Sequence, residues 1–434
     1  MKSGIIFIIA LFFSIQPCFA QKNNMFIPLN YKKAYTNKSR TLEGKPGPNY
    51  WQNSADYKIN AELIPEKYLL KGSEEITYKN NSPAKLTSLV IRLYQDMFRK
   101  GVPHDEDIDP ADITDGVAIQ KLVINGEEID FNSKGTFKPQ RNGTNLKLVL
   151  KKFIEPKSEC KIEIEWSFTI QQKTHERMGA YTPNSFFIGY WYPQIAVYDD
   201  IDGWDEHQYG GRVEFYNDFN NYDVNIKLPY NYIAWATGIL QNGKDNFTKE
   251  LLDKIDEAKK SDRIINIIKK EDIEKNRVLL NAPYHTWHYV AENVPDFAFA
   301  AGDKMLWNAS TVKLPDGRET FVSAINDSST HFCDDVAYYA RKAIGFYSTK
   351  LPGIPFPYPC ETIFNFSGPG GMEFPMMAND GISPDINNNV MVTVHEIAHT
   401  YMPFYMGINE RKYAWMDEGW AVMLTYYSEA DILP

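Results

Sequence analysis

Apolar and polar residues alternate along much of the first half of the chain. From Cys160 to Ile170 every second residue is apolar, which is typical of a strand with one buried face. Tyr57–Leu63 and Tyr222–Leu228 show the same period of two. Asn125-Gly126 and Asn142-Gly143 each lie between apolar runs and are typical of hairpin turns. The pattern therefore predicts an antiparallel β domain over residues 21–245.

The pattern changes beyond residue 245. Residues 246–280 are mostly charged and helix-prone, with few aromatics, and are predicted to form a charged helical connector. Trp287–Ala301 again has the character of a strand, whereas Phe332–Thr349 carries apolar residues at helical spacing and is followed by Pro352. Residues 281–434 are therefore predicted to form a second domain that mixes helices and strands, which makes the chain α+β.

Residues 1–20 are predicted to be a secretory signal peptide. Lys2 precedes an apolar run from Ile5 to Ile15, and Cys18-Phe19-Ala20 offers small residues at the cleavage positions. The run is too short to span a bilayer, which takes about 20 apolar residues, and no later stretch is long and apolar enough. We therefore expect an exported protein, periplasmic or extracellular, with no transmembrane segment once the signal is removed.

Composition and charge narrow the function classes. Signal removal leaves 434 − 20 = 414 residues, enough for two or three domains, and the loss of Lys2 changes the formal net charge from −10 to −11. No basic run is large enough to attract phosphate backbones, so nucleic acid is not an expected partner. Cys333 and Cys360 are the first pair to test for a disulfide, and the lack of a Cys-x-x-Cys motif excludes a cysteine zinc site.

The segment His395-Glu-x-x-His399 carries the main candidate chemistry. Asn387–Val394 contains no helix breaker and Pro403 comes only after the second histidine, so a helix is predicted there. Residues four apart lie on the same face of a helix, so the two imidazoles can bind one Zn²⁺ at about 2.0–2.1 Å. Glu396 is offset from the metal but can reach a water bound to it, which is the position of a general base.

Glu418 is the candidate third ligand. Eighteen residues separate it from His399, and Trp415–Ala421 is predicted to belong to a second helix. Two histidines and one carboxylate leave a fourth position for water, as in catalytic rather than structural zinc sites. The alternative is a buried helix whose histidines bind no metal. The other histidines have no partner at ligand spacing: His104, His175, His207, His331, and His285 and His288, which face opposite sides of a predicted strand.

Three motifs resemble a known family. A Gly-x-Met-Glu segment ending at Glu373, the His-Glu-x-x-His motif and a Glu eighteen residues later resemble, in order and spacing, the aminopeptidase N-like gluzincin family of zinc metallopeptidases. Trp191–Gln194, Glu214-Phe215 and Glu292–Phe299 are similar to forms found in secreted bacterial members. The resemblance covers most of the mature chain. It implies a saddle-like antiparallel β domain followed by a thermolysin-like mixed α/β zinc peptidase domain.

The resemblance also implies a metal site and a reaction. Carried over residue by residue, His395, His399 and Glu418 would bind one Zn²⁺, and Glu396 would be the general base. The implied function is a zinc-dependent aminopeptidase that hydrolyses the N-terminal peptide bond of peptides through a metal-activated water. A thermolysin-type zinc endopeptidase and a non-catalytic peptide-binding module are the alternatives.

The segment before the histidine motif would bind substrate. By the resemblance, Glu373 would bind the free α-amino group of a peptide through a charge-assisted hydrogen bond. Gly370 and Gly371 would let the substrate backbone approach closely, and Met372 completes the segment. Gln194 is a candidate contributor from the β domain to the pocket for the first substrate residue.

The sequence departs from the family in three respects. Phe374 stands where the family commonly has Asn, which changes how the segment holds substrate. Thr425 stands where many members have a Glu that orients the second histidine, so this support is expected from another residue. The catalytic Tyr of the family lies some tens of residues beyond the third ligand, whereas sixteen residues follow Glu418. The sequence is therefore either a fragment or a naturally truncated product, of which we favour the fragment, and we expect it to be incomplete in its catalytic domain and poorly active by itself.

Overall fold

The computed structural model describes residues 26–175 and 177–433. The predicted signal peptide, residues 1–20, lies outside the described residues. The chain divides into two compact units between Tyr50 and Trp51. The first unit contributes one helix, α1 (Leu29–Asn37), and the remaining elements belong to the second unit. Across the described ranges, no helix has the length and apolar character that crossing a membrane requires.

The described residues form twenty-four strands and seven α-helices. The strands are β1 Ser54–Ile64, β2 Leu69–Asn80, β3 Leu86–Arg92, β4 Ala118–Ile124, β5 Glu127–Glu128, β6 Gln140–Asn142, β7 Asn145–Ile154, β8 Ser158–Thr169, β9 Gly179–Thr182, β10 Ser185–Ile188, β11 Gln194–Ile195, β12 Tyr198–Asp199, β13 Gly203–Trp204, β14 Asn220–Pro229, β15 Ile233–Ala236, β16 Ile239–Leu240, β17 Ile265–Ile268, β18 Tyr284–Val294, β19 Phe299–Gly302, β20 Met305–Lys313, β21 Glu319–Asp327, β22 Cys360–Ser367, β23 Gly371–Phe374 and β24 Met377–Ile382. The other helices are α2 Gly243–Asn246, α3 Lys249–Ala258, α4 Lys270–Glu274, α5 Val336–Thr349, α6 Ile386–Ala398 and α7 Ala414–Ile432, with a π-helical turn at Thr400–Tyr405.

A large mixed sheet forms much of the first half of the chain, in the order β16-β18-β14-β1-β2-β8-β4-β5. The predicted strands are confirmed as β1, β8 and β14, and each buries alternate residues. The purely antiparallel prediction is wrong at the centre, where β1 and β14 run parallel with Tyr57 opposite Tyr222. Alternation fixes the buried face of a strand but not its direction, and these two strands are far apart in sequence.

The predicted turns and the predicted connector agree with the structure only in part. Asn125-Gly126 is a confirmed hairpin turn, with φ of 50° and 80° as a type I′ turn requires. The second hairpin turns one residue later than predicted, because Asn142 pairs with Asn145. The connector is only partly helical, since Ile265–Ile268 forms β17 and pairs with β20. The strand predicted over Trp287–Ala301 is two strands, β18 and β19.

A six-stranded sheet and three helices hold the candidate chemistry. The sheet has the order β17-β20-β21-β22-β24-β23, so β23 is an edge strand. Helix α6 begins after Asp385, whose Oδ1 accepts a hydrogen bond of 3.0 Å from the Asn387 N–H. The buried Tyr347 hydroxyl of α5 lies 2.8 Å from the Val394 carbonyl of α6 and 2.9 Å from Ser428 Oγ of α7. One hydroxyl therefore ties the three helices together. The fold is α+β.

The candidate disulfide between Cys333 and Cys360 is not formed. Cys333 and Cys360 are both free thiols, as is Cys160. Cys333 Sγ lies 3.8 Å from the Thr330 carbonyl, whereas Cys360 Sγ lies 3.4 Å from the Gly238 carbonyl. The two thiols thus contact different parts of the chain.

Candidate active site

The three predicted metal ligands converge on one point. His395 Nε2 lies 3.2 Å from His399 Nε2 and 3.3 Å from Glu418 Oε2, and the third distance, from His399 Nε2 to Glu418 Oε2, is 3.9 Å. A tetrahedral zinc with bonds of about 2.0–2.1 Å separates its ligand atoms by about 3.3–3.4 Å. The spacing of these atoms therefore fits Zn²⁺ without rearrangement of the helices.

The second histidine is oriented by a residue that sequence reasoning missed. Asp417 Oδ1 lies 2.6 Å from His399 Nδ1, and both side chains are almost fully buried. A carboxylate accepts, so His399 donates from Nδ1 and presents the lone pair of Nε2 towards the metal position. Burial opposes protonation of His399, but the carboxylates of Glu373 and Asp417 outweigh it and raise its pKa well above the usual value. Metal binding must therefore displace a proton from this ring.

The first histidine is oriented by Thr425, whereas the support expected for the second histidine from another residue comes from Asp417. Thr425 Oγ1 donates to the Ala421 carbonyl at 2.7 Å and lies 3.3 Å from His395 Nδ1. Because the Thr425 hydroxyl donates its proton to the Ala421 carbonyl, its oxygen accepts a hydrogen bond from His395 Nδ1–H. The Nε2 lone pair of His395 is thereby left for the metal. Both imidazoles are thus held in the tautomer that zinc binding needs.

Loss of either orienting group is expected to weaken metal binding. Partners that orient metal-bound histidines typically contribute 10- to 100-fold to affinity. We expect Asp417→Ala to lower zinc affinity by about that factor and Thr425→Val to lower it by about tenfold, whereas Thr425→Ser keeps the acceptor and serves as the matched control. Competition with a chromophoric chelator measures Kd. Unchanged Kd in Asp417→Ala, with the fold intact by circular dichroism, would contradict this assignment.

Glu396 lies beside the metal position but is not part of the ligand triad. It is 7 % exposed, and its Oε1 lies 2.2 Å from the place a Cβ would occupy on Gly371. A Cβ at residue 371 would require this carboxylate to shift, so the glycine allows the close approach. Burial, helped by the carboxylate of Glu373, raises the pKa of Glu396 well above its usual range. The arrangement suits a group that receives a proton.

Glu373 belongs to a buried acidic cluster with Glu214 and Glu410. The three side chains are 5 %, 8 % and 7 % exposed, and one oxygen from each lies within 4.8 Å of the others. Burial raises the pKa of Glu373 to about 8, although His399 opposes the rise. Arg177 pairs with both oxygens of Glu214. The cluster is therefore a desolvated site with an excess of carboxylates over the one guanidinium.

The structure brings the sequence-predicted site residues together in one cleft of about 450 Å³. Gly370 lies in the left-handed region with φ of 87°, and Met372 Sδ lies 3.4 Å from Arg177 Nη1. Gln194 does not line the cleft, because its amide donates to the Tyr192 hydroxyl at 3.0 Å inside the β sheets. Larger cavities of about 690 and 730 Å³ occur elsewhere, but neither is lined by a candidate metal ligand.

Sequence reasoning assigned no role to four functional candidates. Asp417 directly precedes a predicted ligand, and that adjacency of two acids was a usable signal. Glu410 lies in the segment between His399 and Glu418 and showed no pattern. Arg177 and Glu214 lie roughly two hundred residues before the candidate metal ligands in sequence, and Glu214 appeared only as part of a motif that resembles the family.

No protein-family model matches the sequence, and no curated protein does either. Solved structures share its fold. A variant of an M1 zinc metallopeptidase from Deinococcus radiodurans is similar with a TM-score of 0.53 and 12 % identity over 89 % of this chain and 73 % of that one. Legionella pneumophila aminopeptidase A in complex with aspartic acid gives 0.54 and 12 % over 87 % and 37 %. A two-domain M1 zinc metallopeptidase variant bound to L-tryptophan gives 0.52 and 12 % over 90 % and 74 %. At such identity the likeness shows the fold alone.

Proposed function

We propose that this chain, which shares its fold with M1 zinc metallopeptidases, is a zinc-dependent aminopeptidase that removes the first residue of peptides. One observation carries the proposal: the ligand atoms of His395, His399 and Glu418 lie at zinc spacing, with a buried acidic cluster in the same cleft. In this proposal residues 281–434 supply the metal ligands, Glu373 and Glu396, and residues 21–245 supply Arg177 and Glu214. The substrates are peptides with a free N-terminus.

Glu396 is the proposed general base. Zn²⁺ bound to the triad would lower the pKa of the attacking water and polarise the scissile carbonyl. Glu396 accepts a proton from that water and then donates it to the leaving amine, so the N-terminal peptide bond breaks without a covalent intermediate. Its buried carboxyl group lies against Gly371, in the same cleft as the candidate ligands.

The acidic cluster explains why an aminopeptidase is favoured over an endopeptidase. An ammonium group carries a positive charge, and the carboxyl groups of Glu214, Glu373 and Glu410, of which Glu214 is paired with Arg177, lie within 4.8 Å of one another. Glu214 and Glu373 line the cleft, so they face a substrate, and Glu410 lies behind them. A buried set of acids is stabilised by a cation that arrives with the substrate. An internal peptide bond brings no such charge.

Replacement of Glu373 tests this preference. A hydrogen bond to a charged group contributes about 1.5–3 kcal/mol, so Glu373→Gln is expected to lower kcat/KM for a fluorogenic aminoacyl amide by about 10- to 150-fold. The loss arises because the amide group cannot balance the ammonium charge. Glu74→Gln is the matched control, since Glu74 is a buried glutamate on β2 outside the cleft.

Two further results would contradict the proposal. Equal rates on free and N-acetylated peptides, unchanged by Glu373→Gln, would identify a thermolysin-type endopeptidase. Stoichiometric zinc without hydrolysis of either peptide would identify a peptide-binding module.

A further inference from the structure

The position of the acidic cluster fixes the direction in which a substrate would lie. Glu373 Oε1 lies 3.7 Å from His399 Nδ1, whereas Gly371 lies against Glu396 and Val392, which precede His399 by three and seven residues. An extended peptide can pair with an exposed edge strand such as β23. If its ammonium group binds at Glu373, its chain passes the metal position and leaves towards Gly370. Residues at that end therefore face the part of the substrate that follows the scissile bond.

Three aromatic rings form a wall beside Gly370: Phe366 pairs with Gly381, whose N–H donates to the Gly370 carbonyl at 2.7 Å. Phe366 of β22 and Tyr181 of β9 have ring centroids 4.4 Å apart, and the His175 ring stacks on Tyr181 at 4.6 Å. Tyr181 is held in place because its hydroxyl accepts a 2.5 Å hydrogen bond from the Asn379 amide. All four side chains line the cleft that contains the metal ligands, and the Tyr181 and Phe366 rings are only half-buried. The wall is therefore rigid but still open to a ligand.

The lining of the cleft is chemically mixed. Glu373 and Glu214 are acidic, whereas the three rings are accompanied by Pro369 and the 39 % exposed Met391. Covering such a surface with an apolar side chain is favourable, and aromatic rings add offset or edge contacts. An acidic side chain or a glycine at this position of the substrate would leave these rings exposed to water.

We propose that the aromatic wall of His175, Tyr181 and Phe366 selects substrates with an apolar, above all aromatic, side chain at the second residue. This inference deepens the proposed aminopeptidase function and rests on the substrate direction that it sets. Phe366 and Tyr181 would be specificity residues, since they contact the side chain that follows the scissile bond and not the reacting atoms.

Binding of uncleaved peptides tests the inference. Zinc-loaded Glu396→Gln protein is titrated by calorimetry with Ala-Phe-Ala, Ala-Leu-Ala, Ala-Gly-Ala and Ala-Asp-Ala. We expect Ala-Phe-Ala to bind at least about tenfold more tightly than Ala-Gly-Ala, the lower end of what an apolar pocket provides. Adding Phe366→Ala should reduce that ratio to about threefold or less. Phe137→Ala is the control, since Phe137 is a 45 % exposed ring outside this cleft.

The outcomes separate this inference from the proposed function. Equal Kd for the four peptides, or a preference for phenylalanine that survives Phe366→Ala, would overturn the aromatic pocket. N-acetyl-Ala-Phe-Ala that binds as tightly as Ala-Phe-Ala would overturn the amine site and hence the aminopeptidase, whatever the ratio between phenylalanine and glycine. A Phe366→Ala protein that does not fold is replaced by Phe366→Leu, for which we expect a smaller ratio than in the parent.

Discussion

Glu396→Gln is expected to lower kcat by about 10²- to 10⁴-fold, the usual contribution of a positioned general base, while one zinc stays bound. The amide has the shape of the carboxyl group but accepts no proton. Metal binding should survive because Glu396 is not part of the convergent triad of His395, His399 and Glu418. Single-turnover rates on an aminoacyl amide, measured with zinc content on the same sample, provide the test.

Two controls make the result specific. His399→Ala should lose zinc and activity together, whereas Glu396→Gln should lose activity alone. If Glu396→Gln lost zinc to the same extent, Glu396 would be a ligand rather than a base. If its rate matched that of the unmodified chain, the proton would be accepted elsewhere and the proposed mechanism would be wrong.

The metal ligands could be predicted because their spacing is mostly local. His395 and His399 are one helical turn apart, and the sequence contains an uninterrupted helix around them, so their convergence follows from helix geometry. Glu418 was found as an acid on a second predicted helix. Its actual position depends on how α7 crosses α6, which is set by contacts such as that of the Tyr347 hydroxyl with both helices.

The amine site could be predicted only in part. Glu373 was identified from a motif, but its partners Glu214 and Glu410 have no periodicity or spacing that relates them to it. Their proximity is produced by tertiary packing, in which Arg177 reaches both Glu214 and Met372. Distances between residues far apart in sequence are fixed by tertiary packing, and a hydrophobic pattern carries no information about them.

The fold, too, could be predicted only in part: the positions of strands could be predicted, but their pairing could not. Alternation located β1, β8 and β14, because burial of one face leaves a direct mark on the sequence. It could not show that β1 and β14 are parallel neighbours. The connector prediction missed β17, although three of its four residues are isoleucine, because charged residues dominate the sequence on both sides of this short strand. At 12 % identity to solved structures, the fold has persisted while most side chains differ.

Asp296→Asn is expected to change how stability depends on pH. Asp296 is buried in the β sheets, where its Oδ1 accepts from the Tyr192 hydroxyl at 2.9 Å and from the Phe297 N–H at 2.7 Å. Its Oδ2 has no hydrogen-bond partner among the described residues. Burial raises the pKa of Asp296 from 3.8 to about 7, although both hydrogen bonds oppose the rise. The folded protein therefore keeps a proton that the unfolded chain releases.

The sign follows from linkage. Below about pH 4 both states are protonated, and the stability contributed by the neutral Asp296 is fully present. As pH rises to about 7, the unfolded state loses its proton first and stability falls, by at most about 4 kcal/mol for a pKa difference of this size. Asp296→Asn retains both hydrogen bonds at Oδ1 and does not titrate. Its free energy of unfolding should therefore rise relative to that of the parent, by that amount, between pH 4 and pH 8. Urea unfolding at both pH values measures the difference.

The comparison isolates Asp296 from the other buried acids. Asp380, which accepts from Thr393 Oγ1 at 2.7 Å, also has its pKa raised by burial to about 7. It lowers stability with rising pH in the parent and in Asp296→Asn alike, so its contribution cancels in the difference between them. Asp256→Asn on the exposed face of α3 should give a difference that is flat with pH. A flat difference for Asp296→Asn as well would mean that Asp296 is ionised in the folded protein, with its charge balanced inside the tyrosine cluster.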